Sequence, residues 1–491
     1  MTSVVDIHCH TFNADDLPVR GFIRRTQFED RRLGDLVAGL ADRLVDGAPG
    51  FTAEKGRLDL LLGADAFADA FETAVEVPAP VAEFERDVDR AMRMLDERDP
   101  GLVRQVGATM LDAESSGLEG FGDWFNAARR AVRWVSMFRA YRLDNTLLMI
   151  ANFGDRIDLY TPLTVDLEFG LHDRTETTPR QQVVLQEKIS RLSMLGRLPG
   201  VNRGRVHPFI GFDPRREVQD QISGEVESAL DVVKLAITTY GFVGVKLYPP
   251  MGFRPIGNQA TVDMSAELAA RVDGVLNSLY DWCQSEDVPI TAHCSSGVHA
   301  HDTFADFASP AHWARVLADY PRLRLNLGHF GGETVSPVSD SWPWQIARLA
   351  TGAHPRLFAD IGNHRIYDAT FRDGYFAMLR SMFDGAETAG MVERLMFGSD
   401  WYMMAIHPEH DAFLDQYQAA YEDHFDAAQA TSFFGGAALR FLGFDDPNSG
   451  SNVRLAARYA RYAPDRVPAW LAGTRPAASD PSEFALPGDA S

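Results

Sequence analysis

Eight short apolar, β-branched segments recur along the chain, each ending in a polar residue or glycine. They are VVDIHCH (4–10), PLTVDLEF (162–169), RVHPFIGFD (205–213), GFVGVKLYP (241–249), VPITAHCSS (288–296), LRLNLGHFGG (323–332), RLFADIGNH (356–364) and RLMFGSDW (394–401). From the second onward, helix-sized stretches separate them, at 179–196, 217–240, 265–286, 310–319, 343–352 and 371–392, and another follows at 409–423. Near-continuous apolar strands alternating with helices predict a parallel sheet whose faces are covered by those helices. Eight such units with a closing helix predict an α/β fold, a (β/α)8 TIM barrel. The alternative is an open doubly wound sheet, which more often carries a glycine-rich phosphate loop after its first strand, and none follows Cys9.

The first connection breaks the rhythm. About 150 residues separate the first two segments, far more than an ordinary loop between a strand and a helix. Residues 27–46, 55–76, 80–99 and 119–150 read as helices, so the stretch is a helical insertion between strand 1 and strand 2. The chain divides into strand 1 (1–12), the insertion (13–160), the rest of the barrel (161–446), and a C-terminal helix with a tail (447–491) whose Pro, Ser and acidic content predicts mobility. The insertion leaves from the C-terminal end of strand 1, so a role as a cap over that end is open beside packing or contact in a homo-oligomer.

Charge narrows the partners. The 491 residues carry a formal net charge of −22, which disfavours nucleic acid and anionic membrane surfaces and leaves a small-molecule substrate. No window approaches the ~18 apolar residues of a membrane span, and no segment reads as a signal peptide. Three cysteines, Cys9, Cys283 and Cys294, are too few and too odd in number for a disulfide framework, and a cytoplasmic location is expected.

The chemistry gathers at strand ends. In a barrel of this kind the C-terminal ends of the strands meet on one face. Side chains alternate along a strand, so His8 and His10 share one direction and Cys9 takes the other. Lys246, His293, His329 and Asp400 close strands 4, 5, 6 and 8. Any one of these histidines alone reads as a hydrogen-bonded barrel residue. Imidazoles and a carboxylate converging together suit a divalent metal with open positions for water. In the loops beyond, Tyr248, Arg254, Arg365 and Trp401 are candidates for substrate binding, the two arginines as a carboxylate clamp or as ordinary ion pairs. His299, His301, Glu333, His364 and Tyr402 are weaker candidates. Cys294 should point away from the site, and Met403 and Met404 read as packing.

DIHCH, GVKLYPP, ITAHCSSG, LNLGHFGG and MFGSDW, taken in order, resemble the successive motifs of the amidohydrolase superfamily. The nearest resemblance is to its amidohydrolase-related branch, which includes aminocarboxymuconate-semialdehyde decarboxylase, and it covers 4–12 and roughly 160–444. It leaves the insertion unexplained. The resemblance implies that His8, His10, His293 and Asp400 hold a metal, and that His329 is a second-metal ligand or an acid–base residue. Lys246 would either be carboxylated and bridge two metals, or stay free to bind a substrate carboxylate or pair with Asp166 or Glu168. The implied ion is Zn2+, with Mn2+ or Fe2+ as alternatives, in one or two copies. The implied reaction is hydrolysis of a C–N or C–O bond in a small carbonyl substrate by metal-activated water, with Asp400 and His329 as catalytic residues. A metal-dependent decarboxylase or hydratase is the runner-up, and a non-catalytic interaction protein with a vestigial barrel the third reading.

Overall fold

The computed structural model describes residues 3–28, 31–45, 48–63, 79–113, 121–201, 204–295, 299–336, 340–352 and 354–472. The expected mobile tail from 473 onward lies outside the described residues. The strands are β1 (Val5–Cys9), β2 (Leu159–Pro162), β3 in two pieces (Arg205–Val206 and Phe209–Phe212), β4 (Gly244–Leu247), β5 (Ile290–His293), β6 (Leu325–Gly328), β7 (Leu357–Asp360) and β8 (Leu395–Met396). Every pairing between them is parallel and joins neighbours in sequence. Pro208, which has no N–H to give, interrupts β3, and a bridge from Leu163 to Phe209 carries the sheet past the break. At the other end, Ile7 N donates to Phe397 O at 3.2 Å and Asp400 N to His8 O at 2.6 Å, so the order runs from one to eight and returns to β1. This is the strand order of a TIM barrel.

The strands are buried almost throughout, as helix-covered parallel strands must be. Between them run α7 (Pro179–Leu195), α8 (Pro214–Ser223), α9 (Ala229–Thr238), α10 (Ala266–Ser285), α11 (Pro310–Asp319), α12 (Trp342–Thr351) and α13 (Ala369–Asp384), and α14 (Phe413–His424) follows β8. Their starts are written locally. Thr178 and Gln181 form a capping box at α7, Ser228 and Asp231 another at α9, and Pro opens α7, α8 and α11. The expected helix 217–240 is two helices, because Gly224 turns the chain at φ +71°. The closing stretch is helical across 427–442, and α15 (Gly450–Tyr462) packs with it against the starts of β1 and β2 in an apolar cluster that includes Val5, Leu159, Phe441 and Tyr459.

Strand 2 needs a correction. It occupies 159–162, earlier than the expected 162–169, because β1 pairs Val5 with Leu159 and Asp6 with Tyr160. The residues beyond leave the sheet, and Asp166 and Glu168 are ion-paired with Arg216 at 2.6 and 2.9 Å. The two acids therefore do not partner Lys246.

The stretch between β1 and β2 is helical, in α1 (Arg31–Leu44), α2 (Phe51–Gly63), α3 (Ala79–Arg98), α4 (Pro100–Ala113), α5 (Phe121–Met137) and α6 (Arg142–Phe153). Helix α4 was not foreseen, and the expected helix over 119–150 is broken between α5 and α6. The second half of the helix expected at 55–76 lies outside the described residues. A buried ion cluster pins the arm: Arg142 donates to both oxygens of Asp16 at 2.7 Å, to Glu54 at 2.6 Å and to Thr177 Oγ at 3.0 Å. Pairing keeps these charges ionised in an interior that would otherwise reject them. The arm lies over the ends of the strands. Arg25 donates to Ala300 O at 3.1 Å, and Arg130 to Ile406 O at 3.3 Å, in the loops that follow β5 and β8.

Candidate metal centre

His8, His329 and Asp400 each offer a ligating atom, and the three atoms lie within 4.8 Å of one another. His10 joins them, its Nε2 3.4 Å from Asp400 Oδ1. His293 stands beside His329, with ring centroids 4.5 Å apart. Strand ends from β1, β5, β6 and β8 thus bring five of the expected residues together at the seam where β8 meets β1.

Each imidazole is held in one tautomer. Nδ1 of His8 faces Asp360 Oδ1 at 2.9 Å, Nδ1 of His10 faces Leu163 O at 2.8 Å, and Nδ1 of His329 faces Gly362 O at 2.9 Å. The acceptors require a hydrogen on each Nδ1, so the lone pair of each ring sits on Nε2. This is how proteins prepare a histidine for a metal, by donating the far N–H to a carboxylate or backbone carbonyl. His293 is turned the other way, with Nε2 on Ser295 Oγ at 3.0 Å and Nδ1 buried without a partner. Burial, with the neighbouring imidazoles and Lys246, pushes His10, His293 and His329 well below the ordinary histidine range, so these rings are neutral. Neutral imidazole is the form that binds metal.

The buried polar atoms that lack a hydrogen-bond partner include His8 Nε2, His293 Nδ1, Asp400 Oδ1 and Lys246 Nζ. Such atoms are costly unless a further group satisfies them. Three are lone pairs and one is an amine. Burial lifts the Asp400 carboxyl to about 6 against the pull of His8 and Lys246. Burial also lowers the Lys246 amine to about 8, while Asp360 and Asp400 pull it back up. The donor set therefore fits a divalent cation, with His8, His10, His293, His329 and Asp400 as its candidate holders.

Sequence reasoning missed Asp360. It ends β7 and is fully buried, and its Oδ1 accepts from His8 Nδ1, from His329 N at 3.2 Å and from Gly362 N at 2.9 Å. Its Oδ2 accepts from Asn326 Nδ2 at 2.7 Å. Burial opposes ionisation here, but His8, His329 and Asn326 outweigh it and hold Asp360 well below the carboxylate range. The signal was available, since Asp360 ends the seventh apolar segment as Asp400 follows the eighth. Also missed were three glycines around His8. A Cβ on Gly328 or Gly362 would lie 3.1 Å from the His8 ring, and one on Gly398 would lie 2.7 Å from His8 Cβ. Two site residues carry left-handed backbone, His329 at φ +65° and Asp400 at φ +50°, a conformation that costs side-chain-bearing residues and recurs at functional sites. Asp6 braces the second of these turns, accepting from Ser399 N at 2.9 Å and Ser399 Oγ at 2.6 Å.

The expected substrate residues separate. Tyr248 is at the centre, stacked on His293 at 4.2 Å, with Lys246 Nζ 5.6 Å from its ring centre. Trp401 is fully buried directly after Asp400, and its Nε1 has no partner. Arg254 lies over Phe307 at 4.8 Å and faces Asp306 at 3.9 Å, so it packs on the loop after β5. Arg365 is paired with Glu333 at 3.0 Å. The arginines form ion pairs and no joint clamp. His299 and His301 are loop residues, with His301 capping the turn at Thr303. Cys9, Cys283 and Cys294 are free and buried, and burial pushes their thiols up, which removes them as nucleophiles.

Residues 213–444 match the amidohydrolase family model, a span that runs from the end of β3 through the closing helical stretch. The barrel of this chain is of the amidohydrolase superfamily, and with the centre described above it defines an enzyme of the metal-dependent hydrolase type. No curated protein matches the chain. Among solved structures, an amidohydrolase from Burkholderia multivorans with bound zinc aligns at 14% identity and a TM-score of 0.39, over 63% of this chain and 91% of that one. A TIM-barrel protein from Bordetella bronchiseptica aligns at 16% identity and a TM-score of 0.38, over 70% and 90%. A Lactobacillus casei protein assigned as a metal-dependent hydrolase aligns at 15% identity and a TM-score of 0.40, over 90% and 96%. Among the described residues no helix is long and apolar enough to cross a membrane.

Proposed function

We propose that this protein hydrolyses a C–N or C–O bond next to the carbonyl of a small substrate, using a divalent ion held by His8, His10, His293, His329 and Asp400. The observation that carries the reading is the set of neutral, tautomer-fixed imidazoles whose lone pairs converge on a buried, unpartnered carboxylate oxygen. Zn2+ suits this mixture of imidazole and carboxylate, with Mn2+ or Fe2+ as alternatives. A divalent ion there supplies Lewis acidity, which makes water nucleophilic at neutral pH and polarises a carbonyl.

The protein's own groups do the rest. Asp400, lifted to about 6, is ionised at neutral pH yet basic enough to take the proton of the attacking water and return it to the leaving atom. His329 gives a hydrogen bond through Nδ1 to Gly362 O, which keeps Nε2 as an acceptor facing the reacting centre. Lys246 brings a buried amine without a partner to the same centre, suited to a substrate carboxylate. Tyr248 offers a flat apolar wall against His293. A carboxylated Lys246 bridging two ions is the alternative state, and 13C NMR after labelling with bicarbonate separates the two. The Lys246 amine also suits a lyase that expels a substrate carboxylate, so decarboxylation is the second reading.

Asp400→Asn tests the assignment. In protein reconstituted with Zn2+ and screened against lactones, amides and carboxylate-bearing substrates, the variant keeps its circular dichroism and loses about 10²-fold or more of turnover. Turnover within a few-fold of the parent removes Asp400 from the reaction. Carbon dioxide release without hydrolysis selects the lyase.

A further inference from the structure

The helical arm between β1 and β2 does more than lie over the barrel. It grips the two chain segments that carry His10 and Asp400. On one side, the indole Nε1 of Trp134, in α5, donates to Tyr402 O at 2.8 Å, two residues beyond Asp400. On the other, Asn145 Nδ2, in α6, donates to Phe12 O at 2.8 Å, two residues beyond His10, and to Met137 O at 3.0 Å. The rings between these two grips are packed together. Phe12 and Tyr402 stand 4.4 Å apart, Phe138 lies 5.3 Å from Tyr402, and Trp134 lies 5.0 Å from Phe138. Ala14 N closes the same bracket on Phe138 O at 2.9 Å. All four rings are buried.

What the bracket holds is strained. Asp400 sits in left-handed backbone, and such a residue keeps that conformation only when its surroundings over-determine it. Asp6, through Ser399, fixes the turn from before Asp400. Trp134 fixes it from after. We propose that Trp134 and Asn145 of the insertion are positioning residues of the metal centre, setting the separation of His10 and Asp400 through Phe12 and Tyr402. A ligand pair 3.4 Å apart tolerates little slack before its geometry changes. This inference rests on the metal-centre reading.

Trp134→Phe keeps a buried ring and removes the one N–H. The full chain is stripped of metal and titrated with Co2+, whose visible spectrum reports ligand geometry, and with Zn2+ against a chelator. The expected result is an altered Co2+ spectrum and an affinity weakened by about 10- to 100-fold, the usual effect of losing an outer partner of a ligand. Trp313→Phe is the control. Trp313 is also fully buried, its Nε1 has no partner, and it lies on α11 away from the centre. It should leave both readouts unchanged. Should Trp134→Phe fail to fold, Asn145→Ala is read in the same titrations. A folded variant with the parental Co2+ spectrum and affinity overturns the proposal. A parent chain that binds neither ion overturns the metal-centre reading instead.

Discussion

Asp360 offers the sharpest test of how the centre is held, because its charge can be removed while its hydrogen bonds are largely kept. In Asp360→Asn, the amide oxygen can take the place of Oδ1 and still accept from His8 Nδ1, His329 N and Gly362 N. The new NH2 then faces Asn326. That side chain can turn over, because its Oδ1 is buried without a partner and Thr291 Oγ1, 3.3 Å from its Nδ2, can donate as well as accept. The fold should therefore lose only about 1 kcal/mol, the scale of one ordinary hydrogen bond. His8, however, loses the negative charge behind its imidazole. Removing such a partner weakens metal affinity by about 10- to 100-fold, or about 1.4–2.8 kcal/mol. Asp360→Ala is different in kind. It strands four donors at roughly 1–3 kcal/mol each, a sum comparable to the whole stability of a domain, about 5–15 kcal/mol. The assay is competition for Zn2+ with a chelator, beside urea denaturation of the metal-free protein. Zn2+ affinity within about twofold of the parent in Asp360→Asn would refute the claim that Asp360 tunes His8 by charge.

Gly398→Ala puts a Cβ 2.7 Å from His8 Cβ, so strand and ring must move; a loss of about 1–3 kcal/mol and weaker Zn2+ binding are expected, and an unchanged melting temperature with unchanged affinity contradicts it. Arg142→Met leaves Asp16 and Glu54 buried without their cation, a loss of about 3–5 kcal/mol in urea denaturation; a loss under about 1 kcal/mol would mean the cluster relaxes into water. His207 tests the pH dependence far from the metal. Burial, with Arg458 and Arg205, lowers it to about 3, so below its unfolded value of about 6.5 the unfolded chain binds a proton that the folded chain refuses. Stability should fall as pH drops from about 6.5 to about 3, at up to about 1.36 kcal/mol per pH unit from this residue, and His207→Gln should flatten that slope. Equal slopes in parent and variant would remove His207 as the cause.

The part of the site that the sequence makes legible is the part governed by strand geometry. Alternation aims His8 and His10 the same way, and the apolar run before each of Lys246, His293, His329 and Asp400 marks a strand end. Asp360 obeys the same rule and was passed over because a carboxylate among loop residues looks like a cap or a turn. Arg216, which takes Asp166 and Glu168, lies about 50 residues from them in the chain, and nothing local announces the pairing. The glycines at 328, 362 and 398 read as turn residues, while their role is to leave room for a ring that arrives from the other end of the chain. The Trp134 bond to Tyr402 spans 268 positions, and a helical period shows only that Trp134 faces inward, never what it meets.

The seam between β8 and β1 has a consequence for how the protein comes into being. Ser399 reaches Asp6 across 393 positions, and Asp400 meets His8 and His10 across a similar span. Closing so long a chain is entropically expensive, and the contacts that reward closure come only at its end. During synthesis, His8 and His10 must wait unpartnered until nearly the whole barrel has been made. An ion that binds only the closed form adds its binding energy at that last step. The proposed metal would then latch the ring it sits in, and a chain that stopped short of Asp400 could neither close nor hold it.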